Sequence, residues 1–195
     1  MTPYFIPDQA MLTAVTSAAR RGVDVRLGCI WGSDITEPPT GDPARWVSDE
    51  WYRTLASRQD VVTLDLNPLE PALGRLVQRE FTGSILDTAL LERILAEFEV
   101  DTVFHLAALL STRSEFTPTT AHQVNVEGTL HLLEFSQREA ESHGRPVTFV
   151  YPSSIAAYGL PDLETKARAG RVREDAFATP TTMYGCNKLY CEQLG

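Results

Sequence analysis

Two patterns alternate along the chain: stretches in which apolar residues recur every three or four positions, and short runs that are apolar throughout. The first belongs to helices with one buried face, the second to strands buried on both faces. Helical periodicity covers residues 9–21, with Leu12, Val15 and Ala19 on one face and Gly22 as a stop. It returns over 46–58, briefly over 71–76, and strongly over 87–98, where Leu90, Leu91, Ile94, Leu95 and Phe98 are apolar. A long helix is predicted within 118–143, carrying Val126, Leu130, Leu133 and Phe135 and closed by Gly144 and Pro146. A last helix covers 183–194. Strands are predicted over 23–30, 61–66, 102–106 and 147–151, with a weak one over 78–82. Residues 31–43, dense in Gly, Pro, Asp and Thr, and the polar stretch 159–182 are expected as loops. The alternation predicts an α/β fold on a parallel sheet, with all strand carboxyl ends on one edge, where such sheets bind ligands.

Composition narrows the class. At 195 residues and 43% hydrophobic, the chain can bury a core without disulfide or metal staples. No run approaches the ~20 apolar residues of a membrane-spanning helix. Asp8 comes early, and no basic-then-apolar signal pattern precedes it. A net charge of −9 disfavours a nucleic-acid partner. Cys29, Cys186 and Cys191 form no CxxC pair and no zinc spacing, so no metal is expected and a reduced cytoplasmic setting is the simplest reading.

The sharpest chemistry lies near the carboxyl end. The strand at 147–151 runs into Ser153 and Ser154, and Tyr184 and Lys188 follow at helical spacing on one face. An ammonium beside a phenol favours the phenolate, and a phenol lowered from about 10 toward working pH is a general acid/base. A serine at a strand end can donate to the same substrate oxygen. Each element alone has a plain structural reading: a chance helical pair, a turn, an N-cap. Asp65 ends the strand at 61–66, where a carboxylate hydrogen-bonds an adenosine ribose and repels a 2′-phosphate, favouring NAD over NADP. Its plain reading is a turn residue ahead of Asn67 and Pro68.

Taken together and in this order, a strand, Ser-Ser-x-x-x-Tyr-Gly at 153–159 and Tyr-x-x-x-Lys at 184–188 resemble the extended short-chain dehydrogenase/reductases, the NAD-dependent epimerase/dehydratase group. The resemblance covers roughly residues 60–195. It implies a Rossmann-like doubly wound sheet, Ser154, Tyr184 and Lys188 as catalytic residues, and Lys188 and Tyr184 also against the cofactor NAD. Asp-Thr-Val-Phe-His-Leu-Ala-Ala at 101–108 matches the fourth-strand signature, in which small Ala107 and Ala108 let a dinucleotide lie close; outside that context His105 reads as a satisfied core histidine. Asn-Val-Glu-Gly-Thr at 125–129 matches the next signature, whose Asn125 supports backbone geometry near the site. Gly-Ser-Ile-Leu-Asp at 83–87 resembles the segment beside the adenine, placing Leu86 there. Ser84 replaces the family's acid, and Asp87 doubles as a helix N-cap. The implied partner is a small-molecule substrate, L-threonine-like or a nucleotide sugar; a homodimer is the implied assembly.

The pattern departs from the family at both ends. Counting back from Asp65 sets residues 40–47 on the glycine-rich phosphate loop, where Gly41 remains but Ala44 and Val47 stand for glycines and Pro43 removes an N–H. Residues 2–27 resemble a segment of the phospholipase D and cardiolipin synthase family, without its His-x-Lys-x-x-x-x-Asp motif. The expected organisation is an atypical segment over 1–39 and a Rossmann-like NAD-binding domain over 40–195, truncated before a substrate domain. A non-catalytic dinucleotide-binding protein and an inactive gene fragment are the alternatives that the altered loop favours.

Overall fold

The computed structural model describes residues 27–31, 61–69, 71–160, 162–170, 172–173 and 175–195, the first of these as backbone only. Five strands, β1 (Leu27–Trp31), β2 (Val61–Asp65), β3 (Arg79–Thr82), β4 (Thr102–His105) and β5 (Thr148–Val150), form one sheet in the order β3-β2-β1-β4-β5. Every pairing is parallel. That is the order of a doubly wound dinucleotide-binding sheet, which reverses direction between β1 and β4. The predicted α/β class and parallel sheet are therefore observed.

β1 is the middle strand, and Trp31 is level with Asp65 in the β1–β2 register. The predicted strand at 23–30 thus appears at Leu27–Trp31, inside the segment expected to be atypical. The chain leaves the first strand at Trp31, so the residues directly after it begin at Gly32, and Gly41 comes later. Counting back from Asp65 assumed a crossover of ordinary length, whereas this one runs over residues 32–60. Gly41 itself, Pro43, Ala44, Val47, the helices expected at 9–21 and 46–58 and nearly all of the phospholipase-like segment lie outside the described residues.

The helices pack as their periodicity requires. α1 (Pro71–Gly74) is a single turn between β2 and β3. α2 (Thr88–Glu97) buries Leu90, Leu91 and Ile94 against Val62, Leu64 and Val103 of the sheet. Asp87 is its N-cap, accepting from the Leu90 amide at 3.0 Å. A short helix the sequence reading did not predict, α3 (Ser111–Phe116), precedes the predicted helix over 118–143, which is subdivided into α4 (Pro118–His122), a π-helical turn (Gln123–Glu127) and α5 (Gly128–His143). A π turn inserts one residue into the helical period. The face of α5 that meets the core accordingly carries Leu132 and Phe135, while Leu130 is exposed. Gly144 ends α5 in the left-handed region (φ 65°), as its sequence position suggested.

The stretch 159–182 is not all loop. α6 (Leu163–Ala169) starts at Asp162, which accepts from the Thr165 amide at 2.6 Å, and it buries no residue, so it leaves no hydrophobic period to read. α7 (Met183–Leu194) starts at Thr182, which accepts from the Gly185 amide at 3.1 Å.

Candidate active site

The site forms where β4 and β5 end and α7 begins. After β5 the chain turns through a 3₁₀ segment (Ile155–Ala157) capped by Ser154, whose Oγ accepts from the Ala156 amide at 3.2 Å. α7 packs directly on this turn at Gly185: a Cβ there would stand 2.1 Å from the Ala156 carbonyl oxygen. Gly159 meets the backbone at Thr179 as closely, and its N–H donates to the Phe177 carbonyl at 2.8 Å. Two close backbone approaches, each open only to glycine, seat Tyr184 beside Ser154.

Tyr184 is buried, and burial raises its phenol above the ordinary value; the neighbouring Ser154 hydroxyl opposes that without overcoming it. Lys188 is also buried, and its Nζ donates to the Pro152 carbonyl at 2.8 Å. The ammonium lies 4.2 Å from the Tyr151 ring centroid and 5.7 Å from that of Tyr184. Burial pushes Lys188 down to about 8, with Cys191 and Glu192 acting in the other direction. The expected lowering of the phenol by the lysine is not what the structure gives: the ammonium is bonded to the Pro152 carbonyl, and burial raises Tyr184.

The β4 side is a buried polar network. Asn125, in the π turn, accepts from the Leu109 amide at 2.7 Å and donates to the Leu109 carbonyl at 3.1 Å, so it fixes the backbone just past Ala107 and Ala108. Thr129 donates to the Asn125 carbonyl at 2.6 Å and lies 2.8 Å from His105 Nε2. With its one hydroxyl proton committed, Thr129 accepts, so His105 carries its proton on Nε2. The unprotonated Nδ1 has no partner among the described residues. Burial and the Lys188 charge hold His105 down at about 3, so it is neutral. His105 is therefore a half-satisfied core histidine.

Across β1, Asp65 ends β2. Its Oδ1 accepts from the Asn67 amide at 2.8 Å, the turn geometry of its plain reading, and burial chiefly pushes its carboxyl up to about 6, aided by Glu80. Leu86 sits in the turn between β3 and α2, half-buried, its amide donating to Ser84 Oγ at 3.1 Å. Ser154, Tyr184 and Lys188 come together; Ala107, Ala108 and Asn125 gather at the end of β4, and Asp65 and Leu86 stand on the far side of β1. Sequence reading passed over Pro152, Tyr151 and Leu109, which hold the lysine and the asparagine. The backbone partners leave no side-chain signal.

A parallel sheet of this order with a Ser–Tyr–Lys set at its carboxyl edge defines a Rossmann-fold protein of the short-chain dehydrogenase/reductase kind. The sequence profile of the GDP-mannose 4,6 dehydratase family matches residues 59–195, and the chain belongs to that family of epimerases and dehydratases. A UDP-glucose 4-epimerase of Pasteurella multocida is 31% identical over 149 residues, covering 72% of this chain and 41% of its own. Among solved structures, the UDP-glucose 4-epimerase of Bifidobacterium longum in complex with NAD+ and UDP superimposes with a TM-score of 0.63 at 22% identity, over 87% of this chain and 48% of its own. The L-threonine dehydrogenase of Phytophthora infestans does so with a TM-score of 0.59 at 26% identity, over 87% and 48%. The chain spans less than half the length of each of these three proteins. Among the described residues no helix is long and apolar enough to cross a membrane.

Proposed function

We propose that the chain binds NAD across the carboxyl edge of its sheet and serves hydride transfer at a secondary alcohol, or the matching ketone, of a small polar substrate. The substrate class is a nucleotide sugar or an L-threonine-like molecule, the two kinds named for its relatives. The observation that carries the reading is Tyr184 beside Ser154 with Lys188 on the same helix face. The residues fit a dinucleotide. Asp65 uses one acceptor position on Asn67 and keeps others for ribose hydroxyls, and Lys188 uses one of three donors on Pro152.

NAD supplies the hydride acceptor. Ser154 orients the substrate oxygen, and Tyr184, as the phenolate that the Lys188 charge favours, takes the hydroxyl proton as the carbon gives up hydride and becomes the neutral phenol. The reverse reaction returns the proton from the Tyr184 phenol and leaves the phenolate beside Lys188. Calorimetric titration of NAD and NADP into the protein tests the reading: NAD binds more tightly, and Asp65→Ala narrows the difference. Tyr184→Phe retains NAD binding while lowering turnover about 10²–10⁴-fold. Ser154→Ala costs less, roughly 1–3 kcal/mol. Equal affinity for both dinucleotides, or undiminished turnover by Tyr184→Phe, overturns it.

A further inference from the structure

Helix α7 grips three consecutive residues at the end of β5. Lys188 donates to the Pro152 carbonyl, the Ser153 hydroxyl donates to the Glu192 carboxylate, and Ser154 lies beside Tyr184. Tyr184, Lys188 and Glu192 follow one another at one-turn intervals, so a single face of α7 makes all three contacts. The outer two contacts hold members of the reacting set, Lys188 through the Pro152 carbonyl and Tyr184 through Ser154; the Ser153–Glu192 bond between them touches nothing that reacts. We propose that Glu192 is a positioning residue, which through Ser153 fixes the strand end against α7 and so sets the places of the Pro152 carbonyl and the Ser154 hydroxyl. The inference rests on the reading of Tyr184 and Lys188 as the proton-handling pair.

Electrostatics point the same way. The groups facing Lys188 are the rings of Tyr151 and Tyr184, neutral His105, Cys191 and Glu192. Burial works against the ammonium, while Cys191 and Glu192 favour it. Glu192 is exposed, so it can carry charge at the rim while its bond to Ser153 holds that charge near the lysine.

The chain contains two lysines, Lys166 and Lys188, and Lys166 is exposed, so lysine-labelled protein gives one reporting signal and one internal reference. The test is a pH titration of those signals by NMR at low salt, in the intact chain without NAD. Lys188 is expected to titrate near 8. Glu192→Gln lowers that midpoint by roughly half to one pH unit and leaves Lys166 in place. Ser153→Ala keeps the carboxylate but frees it, and produces a smaller shift in the same direction. A residue that only stabilises the helix would lower Tm and leave the Lys188 midpoint where it was; that result, or equal shifts at both lysines, overturns the proposal. Because no dinucleotide is present, a failure of NAD binding is read separately from a failure here.

Discussion

Asp65 shows what a buried carboxylate at a strand end costs. As the terminal residue of β2 it is buried, and its carboxyl is pushed up to about 6 from 3.8. An acid whose value is raised on folding binds more protons in the folded than in the unfolded state between those two values, so stability falls as pH rises from about 4 to 6 and stays lower above. Asp65→Asn removes that penalty while its side-chain oxygen can still accept from Asn67. The variant is expected to melt a few degrees above the unaltered protein at pH 8, roughly 2–4 °C for each kcal/mol regained, with little difference near pH 4. Thermal melts at the two pH values check this; a variant less stable at pH 8 would show that the carboxylate is held by partners rather than strained by burial. Lys188 runs the other way. Its value is lowered to about 8 from 10.5, so the cost of its burial is present at neutral pH and disappears as pH rises from about 8 to 10.5. Both charges are therefore retained at the ligand edge against folding stability, as reacting and binding groups generally are.

At the scale of elements, the decisive contact is between α7 and the turn after β5. Gly185 brings backbone against backbone there, as Gly159 does just ahead of α7 against Thr179; a methyl group has no room at either place, and the opposing atoms are carbonyls that cannot swing aside. Gly185→Ala is expected to lift α7 from the 3₁₀ turn, lowering stability by about 1–3 kcal/mol. It should also move Tyr184 away from Ser154. Denaturant melts give the first quantity; the second appears as a phenol that titrates higher than in the unaltered protein, because the one group lowering it has been withdrawn. A stable Gly185→Ala with an unchanged phenol titration would show that the helix adjusts along its axis. The π turn is the other element that serves the site. Asn125 satisfies both peptide groups of Leu109, and the extra residue in the turn moves Leu132 and Phe135 onto the core face of α5.

For the molecule as a whole, the placement of β1 governs everything else. It is paired on both sides, to β2 and to β4, so its amides belong to the part of the sheet that opens last. Hydrogen exchange should find the amides of Gly28, Cys29 and Ile30 among the slowest in the chain, slower than those of the edge strand β3. Fast exchange at those three positions would remove β1 from the centre of the sheet, and with it the reversal point on which the ligand edge depends.

Residue order alone determined a good deal. The apolar runs announced β2, β4 and β5 within a residue or two; β2 and β4 are buried on both faces, which leaves no alternation to misread. The spacing of Tyr184 and Lys188 announced that the two share one face of α7, because a four-residue step on a helix fixes a common face. Other features needed the assembled chain. The crossover from Trp31 to Val61 has no local signature, so the register counted from Asp65 missed the end of β1. The helix at Leu163–Ala169 buries nothing, and periodicity cannot report a helix without an apolar face. The charge behaviour of Tyr184 and Lys188 was decided last: spacing brings the two groups together, but only burial and the Pro152 carbonyl, both products of tertiary packing, set how far the phenol rises and the ammonium falls.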